Sequence, residues 1–262
     1  EQRVAVKRAG ALAGIHVERI VNEPSAAALA SYFTRNEEQN MLVFDFGGGT
    51  LDVSLVDCFD TMVEIVSVAG NNRLGGDDFD RLIAEHFLRE HGVARQQLRA
   101  QEYAVLLKQA ERCKKLLSEQ EEVVMHATVG GQVYESTYTM DRLFEESKAL
   151  LKEIRQVIGR ALKDGKMTIH DVDLVVMAGG SSKMPLIQKY IRHLFHKAPM
   201  VQGNCDELIA LGLGLVCGVK ERKEEIKDYI LTDICPFSLG VATINEADPV
   251  SYTHLRAHET VL

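Results

Sequence analysis

Three consecutive glycines set between two apolar runs leave this chain few ways to fold around them. Residues 42–46 are mostly apolar, Gly47, Gly48 and Gly49 follow, and then Leu51, Val53 and Leu55 alternate with Asp52 and Ser54. A period of two predicts strands, so residues 41–66 read as an antiparallel ribbon with the glycines at its bend. Without a Cβ, such a bend turns tightly and offers unobstructed N–H groups to an anion, as a phosphate cradle does. Asp45 and Asp52 flank it at the mouths of adjacent strands, where they can orient the waters of a Mg²⁺ ion held on the same phosphates. Thr50 adds a hydroxyl close to the terminal phosphate. Alone, a triple glycine also fits a plain hairpin with solvated aspartates; the flanking D…T-x-D pattern favours the phosphate reading.

The rest of the chain mixes helical and strand periods without a short internal repeat, which predicts an α/β class with a mixed sheet. Residues 1–13 are periodic as a helix, 17–21 read as a short strand, and an Ala-rich helix follows Pro24, a residue tolerated at a helix start. Residues 77–91 and 101–119 predict amphipathic helices, and 123–138 predict a hairpin turning at Gly130-Gly131. Thr139 is an expected N-cap for one long helix ending near Gly165. Residues 172–178 read as a buried strand, 185–195 as a helix, and 206–219 as a small-residue helix in which Gly212 and Gly214 allow close packing. The charged run 221–227 ends that helix, 228–233 reads as a linker, and 238–244 as one further strand.

Composition narrows the function classes. The chain has 262 residues, 46% of them hydrophobic, with 30 Lys and Arg against 38 Asp and Glu, giving a formal charge of -8. That is enough apolar matter for one large domain or two lobes, and the acidic balance excludes a nucleic-acid backbone as main partner. Cys58, Cys113, Cys205, Cys217 and Cys235 are odd in number and form no C-x-x-C pair, which predicts a reducing cytoplasm. No apolar run is long enough to span a membrane, and no signal-peptide pattern occurs. The helical opening without Met places the true start upstream, and residues 250–260 (VSYTHLRAHET) read as translated adaptor sequence, so 250–262 is treated as a non-native tail.

Three other segments carry chemistry. Asn22-Glu23-Pro24 precedes the glycine bend by twenty-two residues and is either a solvated turn or a site where Glu23 positions an attacking water or the metal's hydration shell. Gly179-Gly180-Ser181 follows a buried strand and precedes a helix, which is either an ordinary turn or a second set of amides for a nucleotide. Glu111, Lys114, Lys115 and Ser118 recur at i, i+3, i+4 and i+7, one helix face, commonly a solvated one. No G-x-x-x-x-G-K-[ST] loop occurs, so this is no Walker-type NTPase.

Taken in order, NEPSAAALA, DFGGGTLDVS, GGDDFD, ERCKKLLS, MAGGSSKMP and TDICPFSLG resemble the motifs of the DnaK-type chaperones of the seventy-kilodalton heat-shock class, over roughly residues 1–245. The resemblance implies the actin-like, ribonuclease H-like ATPase fold: the second lobe's base (41–75 and 156–226) carrying a helical and hairpin upper subdomain (76–155). Before them come the end of the first lobe and its crossover helix (1–40). After them come an interdomain linker (227–233) and the start of a peptide-binding domain (234–249). It implies ATP/ADP and Mg²⁺ as cofactors, with Asp45 and Asp52 serving the metal, Gly47, Gly48, Gly49, Thr50, Gly75 and Gly76 the phosphates, and Glu23 the hydrolytic centre. Glu111, Lys114, Lys115, Ser118, Gly179, Gly180, Ser181, Lys183 and Asp206 would line the adenosine pocket.

Lys115 and Lys183 stand where arginines usually sandwich the adenine, and lysine lacks the planar guanidinium that stacks on a ring, so weaker nucleotide binding is expected, as in the HscC-like branch. The resemblance further implies a stress-response, protein-folding ATPase acting on unfolded clients with a J-domain co-chaperone and a nucleotide-exchange factor. With the first phosphate loop and catalytic lysine upstream of Glu1, the chain alone is expected to be inactive. A sugar or acetate kinase of the same fold and an actin-like filament protein are the competing readings, against which ERCKKLLS and TDICPFSLG weigh.

Overall fold

The computed structural model describes residues 2–35, 37–201, 205–221, 229–234, 239–245, 248–255 and 258–260. Helices α1 (Gln2–Leu12) and α2 (Glu23–Arg35) lead into a meander of β1 (Gln39–Phe46), β2 (Leu51–Phe59) and β3 (Met62–Asn71). Helices α3 (Gly76–Glu90) and α4 (Ala100–Leu116) follow, then the hairpin β4 (Glu122–Val129) and β5 (Gln132–Thr139). Next come α5 (Met140–Glu146), α6 (Lys148–Asp164), β6 (Leu174–Ala178), α7 (Pro185–Phe195), α8 (Leu208–Lys220) and β7 (Ile230–Ile234). The last elements are β8 (Leu239–Asn245), β9 (Asp248–Leu255) and β10 (His258–Thr260).

One six-stranded sheet, ordered β10-β7-β3-β2-β1-β6, organises the molecule. Its β1–β2 and β2–β3 pairs are antiparallel, while β6 runs parallel to β1 and β7 parallel to β3. This is the mixed sheet the α/β pattern predicts. Strand β1 reads as nearly continuous apolar sequence because both of its faces are covered. Leu42, Phe44 and Phe46 join Leu51, Val53 and Leu55 in a core shared with α3, α4, α6 and α7. Met41 and Val43 point the other way and pack with Val56 and Cys58 against α2 and α8. Helix α6 buries Leu151, Ile154, Val157, Ile158, Ala161 and Leu162, the spacing of a single stripe. In the β4–β5 hairpin, Gly130 and Gly131 both take positive φ (60° and 83°), as a two-residue primed turn demands.

Several expectations are corrected. Residues 15–22 form no strand, because no neighbouring strand pairs with them among the described residues. The helix capped by Thr139, whose hydroxyl accepts from Arg142 N at 3.2 Å, breaks at Ser147 into α5 and α6. Buried Ser147 sits at φ -87°, ψ 4° and donates its hydroxyl to the Phe144 carbonyl, competing with the helical ladder. The stretch read as a linker supplies β7, because Leu231 is buried and the free edge of β3 accepts its ladder. Strand β8 fits its expectation and pairs with β9 in a separate sheet, and β9 and β10 include residues read as a non-native tail; their Val250, Tyr252 and Thr253 suit an extended backbone. Of the charged run 221–227 only Glu221 is described; residues 222–228 and 235–238, with Cys235, lie outside the described residues.

The packing of α8 on α2 gives a stability test. A Cβ on Gly212 would overlap the Ala26 carbonyl, whereas Gly214 has open space around its Cα. Gly212→Ala is expected to cost about 1–3 kcal/mol in a urea titration, as overpacking does. Gly214→Ala should be neutral or gain up to about 1 kcal/mol from helix propensity.

Candidate functional site

The antiparallel register pairs Asp45 directly with Asp52. Both lie at the sheet's end on the α2 side, beside Glu23, the first residue of α2. A cavity of 320 Å³ opens there, lined by Asn22, Glu23, Asp45, Asp52 and Asp233 together with Ile65. Burial, then the charge of Glu23, then that of Asp52 push the Asp45 carboxyl up to about 6. Asp52 is raised as well, by burial first and Glu23 second. Carboxylates held together this way disfavour joint ionisation, and a nearby cation would relieve them. Among the described residues no group of three or more His, Cys, Asp or Glu could hold a metal directly. Carboxylate oxygens such as these suit an ion gripped through its own water shell, the form Mg²⁺ favours.

Next to these acids the glycine bend is open: Gly48, Gly49 and Thr50 are exposed. It is braced from behind by the turn before α3. Gly76 N donates to Gly47 O (3.0 Å), Asp77 N to Gly48 O (2.7 Å), and Gly47 N to Thr50 O (3.0 Å). A Cβ on Gly75 would overlap the Gly48 carbonyl, so only glycine permits this approach. Across the sheet's end, Gly179 takes φ +80°, and a Cβ there would stand 2.6 Å from Asp45 Oδ1. These residues fit a phosphate group with its metal: amides free of side chains beside paired carboxylates.

The polar stripe on α4 divides. Lys114 turns inward, 8% exposed, reaching Asp80 Oδ1 (2.7 Å) and the Gly76 carbonyl (2.8 Å). Lys115 stays exposed and pairs with Glu111 (2.7 Å). Ser118 does not share the helix face, since α4 stops at Leu116 and Ser118 sits exposed in the following turn. Gly179 and Gly180 do not meet the N-terminus of α7 either: a 3-10 turn over Gly180–Lys183 intervenes, tied back by buried Ser182, whose hydroxyl donates to Ala178 O (2.5 Å). That turn points Lys183 at Asp206 (2.5 Å) and brings Ser181 beside Gly76.

Sequence reasoning missed four contributors. Gly70 lies opposite Asp52 on β3, where a Cβ would come 2.6 Å from Asp52 Oδ1; an isolated glycine within a strand was the available signal. Asp80 sits inside the GGDDFD run without spacing that marks it as a lysine's partner. Asn22 donates its side-chain amide to Asp233, a contact across 211 residues that no local pattern could reveal.

The Asp45 shift has a pH consequence. An acid whose folded pKa exceeds its unfolded value destabilises the fold when ionised, so stability falls as pH rises from about 4 through about 6. Carboxyl-detected NMR should show Asp45 titrating near 6, with Glu23→Gln moving its midpoint down. Asp45→Asn should raise the melting temperature more at pH 8 than at pH 4.5; an equal change at both would contradict the assignment.

The chain matches the family described as Hsp70 protein over residues 1–261. It is 39% identical over 253 residues to chaperone protein dnaK3 of Thermosynechococcus vestitus, covering 93% of this chain and 37% of that protein. The stromal 70 kDa heat shock-related protein of Pisum sativum, chloroplastic by name, is 37% identical over 255 residues, covering 93% of this chain and 35% of that protein. Heat shock 70 kDa protein 7 of Arabidopsis thaliana, also chloroplastic by name, is 38% identical over 255 residues with the same coverage. The chain thus spans about a third of the length of these relatives, all three of which carry chaperone or heat-shock names and none a kinase or actin name. Its fold and its ordered motifs agree with that match, and the chain belongs to the Hsp70 family.

Proposed function

We propose that the protein to which this chain belongs is an ATP-driven chaperone, and that the chain supplies the second lobe of its nucleotide cleft. The observation that carries the reading is the open glycine bend, braced by Gly75, beside the opposed carboxylates of Asp45 and Asp52. Backbone N–H groups of Gly48, Gly49 and Thr50 hold the phosphates, while Gly47, Gly75 and Gly76, whose own N–H groups are bonded to Thr50 O, Asp78 and Gly47 O, brace the bend and leave room for the phosphates to approach. Asp45 and Asp52 would hold Mg²⁺ through its water shell, the ion supplying charge neutralisation when bound, and Glu23 would position the attacking water. Glu111, Lys114, Lys115, Gly179, Gly180, Ser181, Lys183 and Asp206 face the adenosine, with Ser118 at the edge of that wall.

Positioning and electrostatic stabilisation from both walls of a closed cleft drive phosphoryl transfer, so the intact protein is the ATPase. Asn22, bonded to Asp233 at the end of β7, adjoins Glu23. A change at the hydrolytic centre is therefore one step from the strand that leads toward the peptide-binding domain, which couples nucleotide state to the grip on an unfolded client. A J-domain co-chaperone and an exchange factor complete that cycle. The division into a lobe base, an upper subdomain over 76–155, a segment leading out of the lobe near 227–233 and a non-native 250–262 is part of this reading. So is a reducing location, cytoplasmic by its cysteines: Cys58, Cys113, Cys205 and Cys217 are free. No helix among the described residues is long and apolar enough to cross a membrane.

Calorimetric titration with ADP tests the site. The chain should bind Mg–ADP, Gly75→Ala should abolish binding by closing the bend, and Lys115→Arg with Lys183→Arg should tighten it several-fold. No magnesium-dependent ATP turnover above background is expected from the chain by itself. Binding that survives Gly75→Ala in a folded protein would contradict the phosphate assignment.

A further inference from the structure

Three stretches of chain meet at Gly76: the start of α3, the inward side of α4 and the 3-10 turn after β6. The Lys114 ammonium donates to the Gly76 carbonyl at 2.8 Å and lies 2.7 Å from Asp80 Oδ1, while a Cβ on Gly76 would overlap the Ser181 hydroxyl. Asp80 and Lys114 are each only 8% exposed, so this is an ion pair taken largely out of water. Its N–O approach is ionic in character, without the alignment of a hydrogen bond. A buried ion pair is weak evidence of stabilisation as such, since two charges must be desolvated to form it. Its placement is informative: α4 carries Glu111, Lys114 and Lys115, read above as facing the adenosine, and Gly76 belongs to the turn that braces the glycine bend.

We propose that Asp80 is a positioning residue for nucleotide binding, holding Lys114 so that α4 and the Gly75–Gly76 turn are fixed to one another; this rests on the nucleotide-site reading above. The ammonium donates to Gly76 O and is held by the charge of Asp80, so its remaining donor capacity is left to a ligand hydroxyl. Asp80 touches no ligand itself. Its work is to choose among the rotamers of a long flexible side chain, whose freedom would otherwise be lost on binding. Around the pair, burial raises the Asp80 carboxyl, Lys114 opposes that, and Glu111 and Asp77 add to it.

The test combines two measurements on the whole chain. In ¹⁵N-lysine NMR, a buried and bonded Lys114 ammonium should give a slowly exchanging signal in the wild type, lost in Asp80→Asn. In calorimetry with Mg–ADP, Asp80→Asn should weaken binding about tenfold, or about 1.4 kcal/mol, and Asp80→Glu should recover part of it. Melting curves establish that each variant is folded; if Asp80→Asn does not fold, Asp80→Glu carries the comparison, with binding expected between wild type and background. Wild-type affinity in a folded Asp80→Asn, or a Lys114 signal unchanged by it, would overturn the positioning role while leaving the nucleotide site intact. Absence of Mg–ADP binding by the wild type would instead overturn the site reading and this proposal with it.

Discussion

Everything at the cleft depends on the register between β1 and β2. Side chains alternate across a sheet, so a slip of one residue would send Asp45 or Asp52 to the face occupied by Phe44, Phe46 and Val53. That register is secured by burial on both faces: Leu42, Phe44 and Phe46 against one set of helices, Met41 and Val43 against another. Apolar packing thus holds two like charges opposite one another, an arrangement their electrostatics alone would oppose. The parallel addition of β6 fixes the end of β1 further, pairing Asp45 with Ala178 immediately before Gly179.

The cleft has two electrostatic halves. Asp45, Asp52 and Glu23 form an acidic mouth, in which burial and then the charges of Glu23 and Asp52 raise the Asp45 carboxyl. Around Gly76 lies the opposite case, a buried lysine already matched by Asp80. Between them run backbone amides that carry no net charge. On the proposed reading, an acidic chain holds a polyanion through a metal and a few placed donors, without the basic surface that nucleic-acid binding requires.

What was legible in the sequence was periodic or punctuated by glycine. The period-two alternation of Leu51, Val53 and Leu55 gave β2, the Gly130-Gly131 pair gave the hairpin, and the apolar run before Gly179 gave β6. The glycine bend could be placed with its flanking acids because all eight residues are contiguous. Breaks set by side-chain competition were harder to see: Ser147 divides a helix whose apolar stripe continues past it, and α4 ends before Ser118 although the period runs on. Contacts between distant segments were invisible, as with Asn22 and Asp233 or Asp80 and Lys114. The strand at Ile230–Ile234 was misread as a linker because an edge strand depends on an available neighbour, and no local pattern announces the open edge of β3.

The central claim is that the bend at Gly47–Gly49 takes the phosphates while Asp45 and Asp52 hold magnesium water. Its most direct test is amide NMR of the ¹⁵N-labelled chain, titrated with Mg–ADP and, separately, with magnesium alone. The account predicts that Mg–ADP shifts the Gly48, Gly49, Thr50 and Gly76 amides together and far more than magnesium does. Shifts confined to the α4 surface, with the glycine-bend amides unmoved by Mg–ADP, would contradict it.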